Sequence, residues 1–246
     1  MTDVLIFGAG GFGSLVQDIL AQGDAYRAVA FLDSNPARHG RQVAGLPVLG
    51  GVERLILLHH DGVGRAIVAI GDNVTRMAIA ETLRKRGFEL ISAIHPLASI
   101  SPSAEIGGHV VLGPRATICV HTRVGPHTVL SAGAIADHDN VIGQAVFLHP
   151  AVRLAGGVTV GDFAVLGIGA CVIPGRKVGA GATVGPGAVV IRDVPAIAHV
   201  SGVPAAVPLP AQSRFVPELA QQATGALVAN TAAPARTVVP ELVPAG

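Results

Sequence analysis

The chain contains no tryptophan, one tyrosine and two cysteines in 246 residues, and aromatic residues make up only 3% of it. A core of interlocked large side chains is therefore disfavoured, and many short, similar strands joined by tight turns are expected instead. Cys119 and Cys171 set no disulfide framework and read as small core or turn residues, which makes a reducing cytoplasm the simplest compartment. Charge is equally scarce, at 13% of residues with a net charge of +1, so no basic field exists to attract nucleic acid or an acidic membrane. No stretch of about 20 uninterrupted apolar residues occurs, so no membrane span is expected. The first residues, MTDVLIFGAGGFG, lack the basic segment of a signal peptide. What the chain does have is glycine, 32 residues of it, within a composition that is 50% hydrophobic. That is too apolar for disorder.

Residues 1–95 alternate strand-like and helix-like patterns. Strands are expected at Asp3–Phe7, Ala28–Leu32, Arg65–Ile70 and Glu89–Ala93, with helices from Phe12 to about Gln22 and up to about Arg86. Such alternation implies a small parallel sheet. Gly8-Ala9-Gly10-Gly11-Phe12-Gly13 follows the first strand and opens the first helix, and Asp33 stands twenty residues beyond the last of these glycines. This is the dinucleotide fingerprint, with a helix N-terminus ready for phosphate. A complete dinucleotide domain needs about six strands, so a Rossmann-like half domain for a nucleotide diphosphate-sugar fits better.

Residues 96–193 follow another rule. Every sixth residue from Ile100 to Val190 is apolar, sixteen positions in all, and only Ala136 among them is not a branched aliphatic. Glycine follows these sites at 107, 113, 125, 143, 161, 167, 179 and 185, and alanine precedes them by two at 98, 104, 116, 134, 164, 170, 182 and 188. A six-residue period suits a triangular coil in which each hexad forms one side and one corner, with three hexads to a turn and a rise of roughly 4.8 Å. About five coils are expected, with glycine and alanine keeping the corners tight and supplying unusual φ values. On this 18-residue lattice His138, flanked by Asp137 and Asp139, lies at a corner, and the same column one coil later holds Gly156 beside Gly157. Imidazole beside a carboxylate suits general-base catalysis, and a bare glycine N–H suits an oxyanion. No Ser or Cys nucleophile with a partnered base is apparent.

Residues 1–205 resemble the bacterial sugar acyltransferases of the sialic acid O-acetyltransferase and UDP-bacillosamine N-acetyltransferase type. The likeness is carried by Phe7 to Gly13, Phe31-Leu32-Asp33, Ala69 to Asn73, Ile94-His95-Pro96, His138 to Gly143, Leu154 to Val158 and Gly202 to Ala205. The resemblance implies a left-handed parallel β-helix behind the α/β half domain, a homotrimer, and acetyl-CoA lying between adjacent β-helices. It implies His138 as general base with Asp139 as its partner, and CoA-wall positions at Gly156, Ile168 and Pro186. Relatives often place a second, CoA-contacting histidine nine residues after the base; here Phe147 stands there and is counted among the implied CoA contacts, with His149 two residues on. The glycine loop often reads Gly-Gly-His-Gly, and Phe12 replaces that histidine. Implied acceptor contacts are Gly10, Gly11, Phe12, Asp33, Ser34, Gly71 and Asn73. The expected reaction is acetyl-CoA-dependent N-acetylation of a nucleotide-linked amino sugar in bacterial glycan biosynthesis, with no metal.

Three alternatives compete with this reading. One is O-acetylation of sialic acid or another sugar hydroxyl. A second is a zinc enzyme like the γ-type carbonic anhydrases, although His121, His127, His138 and His149 do not reproduce that family's close histidine pair. The third is a non-catalytic nucleotide-sugar binding protein. His121, one coil below Asp139, could touch the acceptor. His59 and His60 read as solvated loop residues. Residues 194–246 form a C-terminal loop and an Ala/Pro-rich tail, with a short helix expected at 215–223.

Overall fold

The computed structural model describes residues 1–207, so the tail and the helix expected at 215–223 lie outside the described residues. The amino-terminal part is a four-stranded parallel sheet ordered β2-β1-β5-β6, where β1 is Thr2–Phe7, β2 is Tyr26–Leu32, β5 is Arg65–Val68 and β6 is Glu89–Leu90. A small antiparallel ribbon, β3 (Gln42–Val43) with β4 (Leu46–Pro47), lies between β2 and β5. The helices are α1 (Gly11–Ala21), α2 (Leu55–His60) and α3 (Asn73–Lys85). The last four residues of β1 are buried, as expected of a strand covered on both faces. Asp72 caps α3 by accepting the Thr75 N–H at 2.8 Å. His59 and His60 depart from the loop reading: they end α2, and the His59 ring meets Phe88 edge-on at 5.2 Å.

From Ala93 to Val200 the chain winds as a three-sided parallel β-helix. Face I has seven strands, from Ala93–Ile94 to His199–Val200; face II has six, from Ser99–Ile100 to Val189–Val190; face III has five, from Glu105–Ile106 to Lys177–Val178. This makes six coils where five were expected, because the solenoid starts before residue 96 and runs past 193. Register is held at 18 residues along each face, for example Val111↔Val129↔Phe147↔Val165. It shortens to 16 only at the end, where Val178 meets Val194 and Thr183 meets His199. The aliphatic sixth residues fill the interior, with Leu112, Leu130, Ala136 and Leu166 all fully buried.

The corner glycines do a different job from the one expected. Gly107, Gly125, Gly143, Gly161 and Gly179 do not have positive φ. They are needed because coils approach closely: a Cβ on Gly107 would come within 2.6 Å of the Pro126 backbone nitrogen. The left-handed residue sits two further on and recurs every six. It is often not glycine at all, being His109, Arg115, His121, His127, Asp139, Ala145, Ala151 or Phe163.

The two parts share one core. Helix α1 lies between the sheet and face I, so that Val4, Ile6, Val16 and Ile19 pack with Ala93, Val111, Val129 and Phe147. Arg76 clamps the seam at the corner between faces III and I. The residue is 1% exposed, and its guanidinium donates to the carbonyls of Ile70, Gly71, His127 and Ala145 and to Asn73 Oδ1. Burial lowers its pKa to about 10, so it stays charged at neutral pH. No helix among the described residues is long and apolar enough to cross a membrane.

Candidate active site

His138 and its neighbours occupy the corner between faces II and III. Ile135–Ala136 ends face II and Val141–Ile142 opens face III, so the four residues Asp137 to Asn140 make the turn. Asp139 takes the left-handed slot at φ 57. The corner is welded to its neighbours by two buried polar side chains. Thr122 Oγ1 donates to the Asp137 carbonyl at 2.6 Å and accepts the Asn140 N–H at 3.2 Å. Asn140 Nδ2 donates to the same carbonyl at 2.8 Å, while its Oδ1 accepts the Val158 N–H. Thr122 and Asn140 were given no role by the sequence, although a signal was there: they are polar residues in a column that holds Ala104 and Val158.

The imidazole is oriented through one nitrogen. The Asp137 carboxylate accepts the His138 backbone N–H at 2.8 Å, and Asp139 Oδ2 lies 2.8 Å from His138 Nδ1. The bond to Asp139, reinforced by the charges of Asp137 and Asp139, raises the imidazole above its ordinary pKa. The same bond holds the Asp139 carboxylate below its usual range. With Nδ1 donating to Asp139, Nε2 is left as the free base. The ring packs against Gly156, where a Cβ would collide with it at Nε2, Cε1 and Cδ2. Cys119, on the same corner one coil below, is a poor nucleophile: burial, then the charge of Asp137, pushes its thiol pKa up.

The remaining anticipated CoA positions fall in two places. Ile168 and Pro186 lie on the corner between faces I and II, the other edge of face II from Gly156; Ile168 is 57% exposed there. Phe147 points outward from face I into the domain seam. Its ring lies 5.5 Å from Phe12, stacks on His149 at 4.5 Å and carries the Arg76 guanidinium 5.5 Å from its centre.

The glycine loop is a separate centre. Gly8, at φ 115, packs against the Ala69 carbonyl, and Gly13 packs against the Gly8 carbonyl, leaving room for no side chain at either. Gly11 is open, and the loop starts α1 without a side-chain cap. Asp33 holds this loop: Oδ2 accepts the Ala9 N–H at 2.8 Å and Oδ1 the Asn35 N–H at 2.8 Å. Arg38, which the sequence reading passed over, pairs with Asp33 at 3.0 Å and overlies Gly10. Ser34 and Gly71 are exposed. Asn73 is placed differently from an acceptor contact. It is 5% exposed, its Nδ2 donates to the Phe163 and Ala164 carbonyls, and its Oδ1 is taken by Arg76.

One chain does not bring these centres together. The amino-terminal domain covers face I and the corner between faces III and I, whereas His138 stands on the one corner that does not border face I.

Comparison with known proteins places this architecture. Residues 3–83 match the family model described as the PglD N-terminal domain. GDP-perosamine N-acetyltransferase of Escherichia coli O157:H7 is 32% identical over 214 residues, covering 81% of this chain and 93% of that protein. The crystal structure of PerB from Caulobacter crescentus in complex with CoA and GDP-perosamine superposes with a TM-score of 0.79. The two are 40% identical, over 85% of this chain and 98% of PerB. The acetyltransferase domain of PglB from Neisseria gonorrhoeae, in complex with acetyl coenzyme A, gives a TM-score of 0.78 at 32% identity, over 84% of this chain and 98% of that one. The chain therefore belongs to the hexapeptide-repeat sugar acyltransferases, the family that includes GDP-perosamine N-acetyltransferase.

Proposed function

We propose that this protein transfers the acetyl group of acetyl-CoA to the amine of a nucleotide-linked amino sugar, with His138 as general base. The observation that carries the reading is the His138–Asp139 pair facing the side-chain-free notch at Gly156. Nε2 accepts a proton as the sugar nitrogen attacks the thioester carbonyl. Negative charge then develops on the carbonyl oxygen, and a backbone N–H at the notch suits its stabilisation. The tetrahedral intermediate collapses with expulsion of the CoA thiolate, which takes up the proton, and no acyl-enzyme forms. Asp139 holds the ring's tautomer and stabilises the imidazolium that appears midway.

The glycine loop suits the nucleotide diphosphate. The N-terminus of α1 offers backbone N–H groups, and the Arg38 guanidinium lies over Gly10 beside them. This reading assigns Gly10, Gly11, Phe12, Asp33, Ser34 and Gly71 as the acceptor contacts there. Relatives bound to GDP-perosamine support a nucleotide-linked 4-amino sugar as the acceptor.

We further propose a cytoplasmic homotrimer. The separation of His138 from the glycine loop within one chain supports it, because a second copy must supply the acceptor domain. The two edges of face II support it too: Gly156 of one copy and Ile168 and Pro186 of the next could wall a single CoA.

The test is release of CoA thiol with a panel of GDP-, UDP- and dTDP-linked 4-amino sugars and free sialic acid. Turnover with an amino sugar, lost by about 10²–10⁴-fold in His138→Ala with CoA binding intact, is the expected result. Turnover confined to sugar hydroxyls, or near-wild-type turnover by the variant, overturns the assignment.

A further inference from the structure

Asp139 has two carboxylate oxygens, and the chemistry above uses one. Oδ2 holds His138; Oδ1 lies 3.3 Å from Nδ1 of His121, one coil below. His121 is fixed by its own backbone, sharing the left-handed column with Asp139 at φ 57 and donating its N–H to Ser103 Oγ at 3.2 Å. Ser103 stands in that column one coil lower still. Above Asp139 the column holds only Gly157 and Gly175, so the polar stack stops at the level of the notch.

We propose that His121 is a positioning residue: it anchors the second oxygen of Asp139, and through that carboxylate it fixes the His138 ring and sets the pH at which the ring becomes a free base. The inference rests on His138 being the base. Two imidazoles then share one carboxylate. Because both rings bond the same carboxylate, a proton carried on His121 would draw on the charge that stabilises a proton on His138. The other titratable groups facing this cluster are Asp137, which accepts the His138 backbone N–H, and the Cys119 thiol, which burial and Asp137 keep protonated. Arg123, next on face III, lies 3.7 Å from Glu105 instead. His121 and Asp139 are 68% and 57% exposed in the single chain, so the effect should be modest.

The experiment compares His121→Ala and His121→Asn with His138→Ala, measuring kcat, KM for sugar and CoA, the pH profile of kcat and the melting temperature. Asparagine tolerates the left-handed slot and can donate from near the Nδ1 position without titrating. His121→Ala should lower kcat about two- to fivefold with both KM values unchanged. Its acid limb should move to higher pH, since the competing cation is gone and His138 becomes more basic. His121→Asn should recover kcat yet keep the shifted limb. Should the alanine variant fail to fold, the limb of the asparagine variant decides alone. An unshifted acid limb overturns the proposal, as does a raised sugar KM with kcat unchanged, which would make His121 an acceptor contact. Loss of activity in His138→Ala beside wild-type behaviour of both His121 variants refutes this inference and leaves the base assignment standing; an active His138→Ala removes both.

Discussion

Gly156 and Gly157 are neighbours with opposite requirements, and substituting each with alanine separates catalysis from folding. Gly156 has ordinary φ, so its backbone accepts alanine, but the new methyl would come within 3.0 Å of His138 Cδ2 and closer still to Nε2. His138 is an exposed side chain and swings aside at little cost in stability. Moving the ring by about 1 Å breaks its bond to Asp139 and misplaces Nε2, and such displacements cost on the order of 10² in rate. Gly156→Ala should therefore lose about 10²-fold in kcat while its stability holds or rises by up to about 1 kcal/mol through the stiffer unfolded chain. Gly157 has φ 68 and nothing nearer a new Cβ than the Gly175 Cα at 4.0 Å. Gly157→Ala should retain kcat within about threefold, since the methyl meets nothing catalytic, and should lose about 1 kcal/mol to left-handed strain, or about 2–4 °C in melting temperature. Thiol-release kinetics and thermal unfolding on the two purified variants provide the measurement. Full activity in Gly156→Ala, or the same phenotype in both, would refute the claim that the notch exists to seat the imidazole.

Three other outcomes follow from the same geometry. Asp139→Asn removes the carboxylate charge that helps raise the His138 pKa, so the acid limb of kcat should move to lower pH while the maximum falls about tenfold or more, because the base is weaker and less oriented. Arg76→Met should cost about 3–5 kcal/mol in urea unfolding, since it strands the carbonyls of His127, Ala145, Ile70 and Gly71 at the seam; a loss under 1 kcal/mol would show that the seam is not held there. His109 is buried, accepts the Val68 N–H at Nε2 and lies 2.8 Å from His127, and burial lowers its pKa to about 3. The unfolded chain takes up this proton near pH 6.5 and the folded chain does not. Stability is thus complete above about pH 6.5 and falls by up to about 1.4 kcal/mol per pH unit below it. His109→Gln should flatten that slope, and an unchanged slope would place the sensitivity elsewhere.

Much of the molecule is legible in the sequence because its interactions are local and repeated. A solenoid coil touches only the coils next to it, so the six-residue period dictates the three faces, the inward aliphatic ladder and the vertical neighbours of every corner residue. That is why the sequence alone placed His138 beneath Gly156 and His121 beneath Asp139. It also found β1, α1 and the glycine loop, whose signals are short-range. Only the tertiary structure decided what non-repeating contacts decide. The jobs of the corner residues were exchanged: glycine one place after the inward site yields to coil-to-coil contact, while the left-handed slots accept His, Asp and Phe. Asn73 and Phe147 went to the seam because α3 and α1 dock against the solenoid, and no periodicity encodes the place where one domain meets another. The same docking leaves His138 on the one corner away from its own amino-terminal domain, a separation set by the packing of face I that no single residue or motif announces.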